Sequence, residues 1–521
     1  MKILKLVPPW VLTGVLYGLS WPIFENVNLS FLAWFAFVPL FLFLEKNTSN
    51  FKKSITSSFG AMVIFEMIAA GWLFNFPTAT SNVLLMFFLE DIWFFFPFFI
   101  FYFFQRKFTF QKSIWLFPFI WMIWEWIYLD LEFTMGTHLS AYSQSSNLWL
   151  IQYIDITGMW GVSFWLLFFN VLIFKAYKNC NEKLFSLQFL KKISFIAALM
   201  LGIPFTYGMY SANKYKNLKG KNLNVTVVPT QFTAKELLNA ENFYWIIEST
   251  LKKTDSLAFT MKDKGIHNDL FVWPESGLVF SLQESNLESI LFEAVTDWKS
   301  ALITGGRSIK DTIREKENDG NYVSGILISH KNSKPSYHHK TVLSPGQEGI
   351  PYHSLLAKIP NFPIKENDPR FFNKGKYSKP IELITKNNIP FLIGVSLCFE
   401  QWYPKHWVEL SKNGAEFFTH LAAEGWYGDV GFMTFMANVS RMRSIENRKQ
   451  TARSANIGIS CFIDQFGRIT KINDKPYQPI NKTLTAFNTI TFYTKNPNFF
   501  PFLVILIFLI VTIKTIFQLK Q

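Results

Sequence analysis

Long apolar segments alternate with short polar connections over the first 214 residues of the chain, and one more apolar segment lies at its end. A helix needs about 20 predominantly apolar residues to cross a bilayer. Segments near this length lie at 7–24, 29–45, 55–75, 83–104, 113–131, 158–176, 193–211 and 498–517. The second of them is short, which suits a tilted or partly re-entrant helix. The pattern predicts a helical membrane bundle with about eight spans.

Basic residues in the connections predict how the bundle is oriented. Lys and Arg cluster in the connections at 46–53, 106–112 and 175–192, whereas those at 25–28, 76–82 and 132–157 contain none. Cytoplasmic loops of membrane proteins are enriched in these two residues. Counting eight spans, every basic connection falls on one side. Both termini are therefore predicted to be cytoplasmic, and the long segment between the last two spans is predicted to lie outside the cytoplasm.

That long segment, residues 215–490, has a different pattern. Short apolar runs typical of buried strands occur at Val225–Val228, Leu270–Trp273, Ala301–Thr304, Phe391–Leu397, Phe417–Leu421 and Ile457–Ile463. Patterns typical of helices lie between them, at 234–252, 285–299, 402–412 and 433–450. Strands that alternate with helices predict an α/β domain with a core of its own.

Composition supports a membrane protein and excludes several other classes. Half of the residues are hydrophobic and 18% are aromatic, which is high for a soluble protein. The net charge of +14 could indicate nucleic-acid binding, but the basic residues are dispersed and accompany no recognised nucleic-acid module. The three cysteines, Cys180, Cys398 and Cys461, are too few and too widely spaced for a disulfide framework or a metal knuckle. We therefore expect no metal, no cofactor and no nucleic-acid partner.

Cys398 is the candidate nucleophile, because it stands where the apolar run 391–397 gives way to polar sequence. A strand end can expose a nucleophile, and a thiol near a helix N-terminus and cations is expected to have a lowered pKa. A strand-end cysteine can equally be a small buried apolar residue. Cys461 illustrates that alternative, since it lies inside an apolar run.

Two further strand ends carry candidate catalytic groups. Glu275 follows directly after Trp273 and Pro274, and a carboxylate that is partly desolvated there can act as a general base. The alternative is a solvated or helix-capping acid. Lys340 could stabilise an oxyanion, although any single lysine can also be a solvated surface charge.

Four acidic residues interrupt the predicted membrane spans and support a different hypothesis. They are Glu66, Glu90, Asp91 and Glu125. Carboxylates within a membrane are costly and are therefore functional candidates, unless each is neutral or paired inside the bundle. In a non-enzymatic transporter the first three would form a relay, and the segment 215–490 would be a binding module.

The three candidate catalytic residues lie in the order and sequence contexts used by the nitrilase superfamily. Together with the predicted spans, they resemble the apolipoprotein N-acyltransferase family over essentially the whole chain. The matching segments include Trp273–Glu275, Lys340 with Leu343, Pro345 and Glu348, Cys398–Glu400, Trp426–Gly428, Arg441–Arg448, Arg453–Gly458 and, in the bundle, Ser140–Gln144 and Asp155–Gly161. The chain departs from the family pattern at 344–347 and 422–425, and Phe399 replaces a frequent tyrosine.

The resemblance implies a fold and a reaction. It implies a seven-span bundle at 1–214, an extracytoplasmic nitrilase-like αββα sandwich at 215–490 and a C-terminal membrane helix at 491–521. Glu275, Lys340 and Cys398 would act as base, oxyanion partner and nucleophile, Glu348 and Glu400 as supporting acids, and Phe399 and Trp426 as the apolar wall and lid.

The implied substrates are two lipids of a bacterial inner membrane. A phospholipid, such as phosphatidylethanolamine, would donate an acyl chain through a thioester on Cys398. The acceptor would be the amino group of a diacylglyceryl-modified apolipoprotein. A membrane-tethered amidase that hydrolyses its thioester with water would use the same three residues and is the alternative enzyme.

Overall fold

The computed structural model describes residues 7–24, 27–75, 80–180, 186–279, 281–282, 286–310, 319–356, 358–359, 371–426, 428, 430–472 and 477–520. The contacts divide the chain into two compact units. The first comprises Met1–Lys214, Asp429–Asn438 and Asn496–Gln521, and the second comprises Tyr215–Gly428 and Val439–Lys495.

The first unit is helical. Its helices are α1 (Pro9–Leu19), α2 (Val38–Lys46), α3 (Phe51–Ala69), α4 (Thr80–Lys107), α5 (Phe110–Ser113), α6 (Phe117–Leu129), α7 (Ile154–Thr157), α8 (Met159–Asn179), α9 (Leu187–Tyr215) and α17 (Phe499–Lys520). A helix lies within or across each of the eight predicted apolar segments. The second segment contains only the short α2, preceded by the 3-10 turn Ser30–Trp34.

Three helices of the described chain are long and apolar enough to cross a membrane. They are Met159–Asn179, Leu187–Tyr215 and Phe499–Phe517, while α1 is apolar but shorter. The predicted helical architecture of this region is therefore confirmed. The number of spans stays a prediction.

The acidic residues of the bundle are buried, and their side chains have polar partners. Glu125 Oε1 accepts hydrogen bonds from Trp121 Nε1 at 2.9 Å and from the Ser140 backbone nitrogen at 2.7 Å. Glu90 accepts one from the Met135 backbone nitrogen at 2.9 Å, and Glu66 lies 3.4 Å from His138 Nδ1. These contacts favour structural pairing, because hydrogen bonds compensate a buried polar group for its lost hydration. The side chain of Asp91 lies outside the described part of the chain.

The second unit contains two six-stranded sheets. The first has the order β12-β1-β2-β3-β4-β5 and the second the order β11-β10-β9-β8-β7-β6. Their bounds are β1 (Lys221–Val227), β2 (Leu270–Val272), β3 (Ala301–Lys310), β4 (Asp319–Ile328), β5 (Ser336–His339), β6 (Ile381–Ile384), β7 (Pro390–Leu397), β8 (Phe417–Ala423), β9 (Thr451–Asn456), β10 (Cys461–Ile463), β11 (Ile469–Ile472) and β12 (Ile480–Ala486). Strands β1, β2 and β3 are parallel, as are β7, β8 and β9.

The two sheets pack face to face over one apolar core. Val225 and Ile303 of the first sheet share a buried cluster with Ile393 and Phe417 of the second. The helices of this unit are α10 (Ala234–Leu238), α11 (Phe243–Asp263), α12 (Leu287–Trp298), α13 (His353–Leu356), α14 (Pro404–Lys412) and α16 (Phe492–Lys495), and α15 (Val430–Asn447) begins in the first unit and continues into the second. Helices α11 and α12 cover the outer face of the first sheet, and α14 packs on the second. The predicted αββα sandwich is confirmed.

The predicted strand Ile457–Ile463 is wrong over its first half, because only Cys461–Ile463 forms a strand. Strand β9 ends at Asn456, and β10 begins only at Cys461. Ile457 adopts φ 45°, and its backbone nitrogen donates to Thr230 O at 3.0 Å. The chain turns here because its backbone pairs with a loop that follows a strand of the first sheet. A run of apolar residues in the sequence does not indicate such a turn.

Candidate active site

The candidate catalytic residues all follow the carboxyl ends of strands that run in the same direction. Glu275 follows β2, Lys340 follows β5 and Cys398 follows β7. Strand β5 runs parallel to β3, because β4 is antiparallel to both. Side chains at these ends meet at one edge of the sandwich, which is the usual place for a site in an α/β protein.

Glu275 begins a 3-10 turn, Glu275–Gly277, that is held against β3. The Gly305 backbone nitrogen donates to Pro274 O at 3.1 Å. A Cβ atom added to Gly305 would stand 2.4 Å from the Cα of Glu275. Only glycine allows the turn to approach this closely. Gly305 was not among the predicted site residues, since no catalytic motif lies near it in the sequence.

Lys340 connects the two acids of the site. Its Nζ donates to Glu275 Oε1 at 2.9 Å and to Glu348 Oε1 at 2.7 Å. The side chain is only 1% exposed, so the ammonium is held by its partners instead of by water. The second oxygen of Glu348 accepts from the Ser344 backbone nitrogen at 2.8 Å, which fixes that carboxylate in turn.

Cys398 occupies a strained turn at the end of β7. Its φ is 35°, in the left-handed region, where a residue other than glycine costs about 1–3 kcal/mol. The thiol donates to Ala423 O at 4.0 Å, and both Glu275 and Lys340 lie within electrostatic range of it. The arrangement therefore places a thiol, a carboxylate and an ammonium together.

The expected low pKa of Cys398 is wrong. Burial and the negative charge of Glu275 raise the pKa of the thiol well above its ordinary value, and Lys340 offsets only part of that effect. Burial also raises the pKa of Glu275, in spite of Lys340. The lysine keeps its proton, because the two carboxylates outweigh burial and raise its pKa. Such a thiol is neutral at rest and needs an adjacent base before it can attack.

Glu400 lies behind Lys340 and Cys398 and is fully buried. Its Oε1 accepts from the Thr341 backbone nitrogen at 2.6 Å, and its Oε2 accepts from the Leu397 backbone nitrogen at 2.8 Å. Burial alone would raise the pKa of Glu400, but His406, His338 and these N–H groups hold it below its usual value. The carboxylate is therefore a connector between two chain segments and does not contact the thiol.

The two aromatic candidates are placed differently. Phe399 is buried, and its ring centroid lies 5.5 Å from that of Tyr403. Trp426 is partly buried and packs against a cluster formed by Phe232, Leu237 and Ile246. Phe399 is thus a packing residue in this structure, while Trp426 borders the helices α10 and α11.

Two buried ion pairs support the strands around the site. Arg443 Nη1 lies 3.0 Å from Glu446 Oε2, three residues further along the same helix. Arg453 pairs with Glu424, which lies in the segment that departs from the family pattern. The guanidinium also donates to Ile459 O and Ser440 Oγ. A buried pair of this kind fixes the loop that carries Trp426.

His338, Glu400 and His406 form a group of potential metal ligands, with ligand atoms within 4.8 Å of one another. Two of those atoms already have hydrogen-bond partners. His406 Nε2 lies 3.1 Å from Val395 O, and Glu400 Oε2 accepts from Leu397. Glu66, Glu90 and His138 form a second such group in the bundle. Sequence spacing showed neither group, because their members come from distant elements.

Comparison with known families covers both parts of the chain. Residues 237–477 match the model of carbon-nitrogen hydrolases, and residues 13–172 match that of the apolipoprotein N-acyltransferase N-terminal domain. The second unit is therefore a carbon-nitrogen hydrolase domain with the nitrilase-like fold, attached to a helical region characteristic of one membrane-enzyme family.

Curated relatives match over most of their length. The chain is 28% identical to the apolipoprotein N-acyltransferase of Chlorobaculum tepidum over 94% of this chain and 93% of that protein. It is 25% identical to apolipoprotein N-acyltransferase 1 of Treponema denticola over 89% and 87%, respectively. The crystal structure of carbon-nitrogen hydrolase from Helicobacter pylori G27 covers 50% of this chain and 89% of its own, with 13% identity and a TM-score of 0.35. The chain is therefore similar to apolipoprotein N-acyltransferases over both of its parts, and with its long apolar helices it is a membrane protein.

Proposed function

We propose that this protein transfers a fatty acyl chain from a phospholipid to the N-terminal amino group of diacylglyceryl-modified lipoproteins, through a thioester on Cys398. The observation that carries the proposal is the contact set at the strand ends. The thiol of Cys398 lies within electrostatic range of Glu275, whose carboxylate lies 2.9 Å from Lys340 Nζ. Similarity to apolipoprotein N-acyltransferases supplies the class of acceptor.

The first half-reaction transfers the acyl chain to the enzyme. Glu275 takes the proton of the Cys398 thiol, and the sulfur attacks the ester carbonyl of the phospholipid. Negative charge develops on the carbonyl oxygen, and the ammonium of Lys340 stabilises it. The ester C–O bond then breaks, Glu275 returns the proton to the departing alkoxide, and a lysophospholipid leaves.

The second half-reaction transfers the acyl chain to the lipoprotein. The acceptor amine attacks the thioester carbonyl, Glu275 accepts the proton of the amine, and the C–S bond breaks as Glu275 passes that proton to the sulfur of Cys398, which restores the thiol. One difficult transfer is thereby divided into two easier ones, which is the general advantage of a covalent nucleophile. Glu348 keeps Lys340 in place throughout, because its carboxylate accepts a hydrogen bond from the Nζ at 2.7 Å.

The location of the site follows from the same proposal. The basic connections of the predicted bundle favour a catalytic domain outside the cytoplasm of a bacterial inner membrane, with both termini inside. A site attached on both sides to apolar helices meets lipid substrates at the membrane surface. We propose phosphatidylethanolamine as the donor to test first.

The experiment is a reconstitution with defined substrates. The purified full chain is incubated with phosphatidylethanolamine in detergent and a diacylglyceryl-cysteine lipopeptide, and the products are measured by mass spectrometry. The proposal predicts an N-acylated lipopeptide and one lysophospholipid for each acyl group transferred. Release of free fatty acid with unmodified lipopeptide would instead support the amidase, and absence of both products would contradict any acyl-transfer function.

A further inference from the structure

A buried imidazole, His406 on α14, contacts the carboxylate that connects the two catalytic segments. His406 is 3% exposed, and its Nε2 lies 3.3 Å from Glu400 Oε2. Neither atom belongs to the reacting set of Glu275, Lys340 and Cys398. The contact between His406 and Glu400 can therefore act on catalysis only through the positions of those three groups.

Glu400 links the neighbour of the catalytic lysine with the neighbour of the nucleophile. Its Oε1 accepts from both the backbone nitrogen and the Oγ1 of Thr341, at 2.6 and 2.9 Å. Its Oε2 accepts from the backbone nitrogen of Leu397 at 2.8 Å. Thr341 follows Lys340 directly, and Leu397 directly precedes Cys398. One carboxylate thus spans the ends of β5 and β7, which belong to different sheets.

The hydrogen-bond partners assign the protons of His406. Its Nε2 lies 3.1 Å from Val395 O, a carbonyl that can only accept, so Nε2 carries a hydrogen and donates it to that carbonyl, while Glu400 Oε2 lies 3.3 Å from the same nitrogen. Its Nδ1 lies 3.0 Å from Ser378 Oγ, which can donate to it. The hydroxyl of Thr341 donates to Glu400. A neutral imidazole therefore satisfies every partner in this set.

His338 approaches the same carboxylate but contributes no such hydrogen. Its Nδ1 lies 3.2 Å from Lys379 O and is the protonated nitrogen, which leaves Nε2 as an acceptor 4.0 Å from Glu400 Oε2. Burial lowers the pKa of His338 to about 4, so its ring is neutral at pH 7. Of the two imidazoles, only His406 places its protonated nitrogen close to Glu400, at 3.3 Å from Oε2.

We propose that His406 is a positioning residue for acyl transfer, because it orients the Glu400 carboxylate that ties the Lys340 segment to the Cys398 segment. The strained φ of Cys398 makes this support necessary, since a strained turn persists only where its surroundings hold it. Loss of the imidazole lets the carboxylate rotate towards its remaining donors. The thiol then moves relative to the ammonium, and a shift of about 1 Å can cost up to about 100-fold in rate. The inference rests on the proposed function.

The chain contains a matched control at the other end of the first sheet. His267 Nε2 lies 2.7 Å from Asp269 Oδ1, and Asp269 Oδ2 accepts from the Asn224 backbone nitrogen at 2.9 Å. This imidazole and carboxylate also connect two strands, but they lie at the amino-terminal end of β2. Replacing His267 therefore removes a similar contact and leaves the carboxyl ends of the strands, where the candidate site lies, unchanged.

The test measures kcat and KM for lipopeptide acylation together with the melting temperature, in the full-length protein. We expect His406→Leu to lower kcat by about 10- to 100-fold with KM within about twofold of wild type. His406→Gln should recover most of the rate, because its amide N–H can reach Glu400. Thr341→Val, which keeps the backbone N–H and loses the hydroxyl, should give an intermediate loss. His267→Leu should lower the melting temperature and leave kcat unchanged.

Two results would overturn the inference. One is a folded His406→Leu protein with wild-type kcat. The other is an equal loss of kcat in His406→Gln, Thr341→Val and His267→Leu, which would indicate general destabilisation. A wild-type protein that transfers no acyl group would refute the proposed function itself. The activity of the wild-type protein is therefore measured before the variants are compared.

Discussion

Two cysteines of the same sheet occupy contrasting surroundings. Cys461 lies inside β10, fully buried, and pairs across the sheet with Arg453 of β9 and Ile472 of β11. Cys398 lies just beyond β7 in a left-handed turn and is partly exposed. Burial raises the pKa of both thiols, that of Cys461 to about 11 although Arg453 and Arg441 oppose the shift.

The comparison shows that a low thiol pKa is not what makes Cys398 the candidate nucleophile. Nearby cations do not keep either thiol ionised, because burial outweighs them. The difference is the nearby carboxylate of Glu275 and a turn that places the sulfur at a strand end. A base close to the thiol allows it to ionise during the attack, when the thiolate is needed.

Replacement of the two sulfurs should therefore have opposite consequences. We expect Cys398→Ala to abolish lipopeptide acylation, because no other group can carry the thioester. Cys461→Ala should keep kcat within about threefold and lower stability by about 1–2 kcal/mol, through lost packing. Product formation and thermal melts measure the two effects, and equal loss of activity in both variants would remove the distinction.

Removal of the base should have the next largest effect. Glu275→Gln should lower the rate of thioester formation by about 10²- to 10⁴-fold, the range typical of general acid–base groups. The measurement is the single-turnover rate with phospholipid. A rate close to wild type would mean that the thiol ionises without Glu275.

The same carboxylate predicts the pH profile. Glu275 accepts a proton only when it is ionised, and burial raises its pKa above the usual glutamate value. The single-turnover rate should therefore decrease as the pH falls through this raised pKa, beginning at a higher pH than for a solvated glutamate. The ammonium of Lys340 stays charged over this range. A rate independent of pH from 4 to about 8 would contradict the assignment.

Loss of the lysine should cost somewhat less and should change the thiol as well. Lys340→Met should lower kcat by about 10²- to 10³-fold, as expected for an oxyanion partner. It should also raise the pKa of Cys398 further, because Lys340 is the charge that lowers it. The pH dependence of alkylation at Cys398 reports this shift, and an unchanged profile would argue against contact between the two groups in solution.

The smallest expected effect is a difference in how readily an alkylating reagent reaches the two cysteines. Iodoacetamide at alkaline pH should modify Cys398 in the folded protein and reach Cys461 only after unfolding, because Cys461 is fully buried between paired strands. Peptide mapping after limited alkylation distinguishes them. Modification of Cys461 at the rate of Cys398 would show that the sheet opens locally.

Much of the fold followed from the pattern of apolar residues. The runs at Val225, Leu270, Phe391 and Phe417 predicted the central strands, because buried parallel strands are apolar throughout. Six strands escaped prediction: β4, β5, β6, β9, β11 and β12. Strand β9 (Thr451–Asn456) is buried throughout, but its residues are small or polar and form no apolar run. Strands β5, β6, β11 and β12 lie at sheet edges, and β6 and β11 expose alternate or most side chains. An exposed edge strand has no apolar run to mark it.

Only part of the candidate site could be predicted from the sequence. The positions of Glu275, Lys340 and Cys398 after strands were visible, and their family context grouped them. Their pKa shifts were not, because these depend on burial and on charges from distant segments. Gly305 and His406 were also missed, since each acts on a residue far away in the chain and neither lies in a recognisable motif.

The central claim is a covalent acyl group on one particular sulfur, and intact-mass analysis of the purified full chain tests it directly. After incubation with phosphatidylethanolamine alone, we expect an adduct of one acyl chain that maps to Cys398. Diacylglyceryl-cysteine lipopeptide should remove the adduct, and the adduct should be absent in Cys398→Ala but present in Cys461→Ala. A wild-type protein that forms N-acylated lipopeptide without ever carrying the adduct, or that carries it on Cys461, would contradict the account.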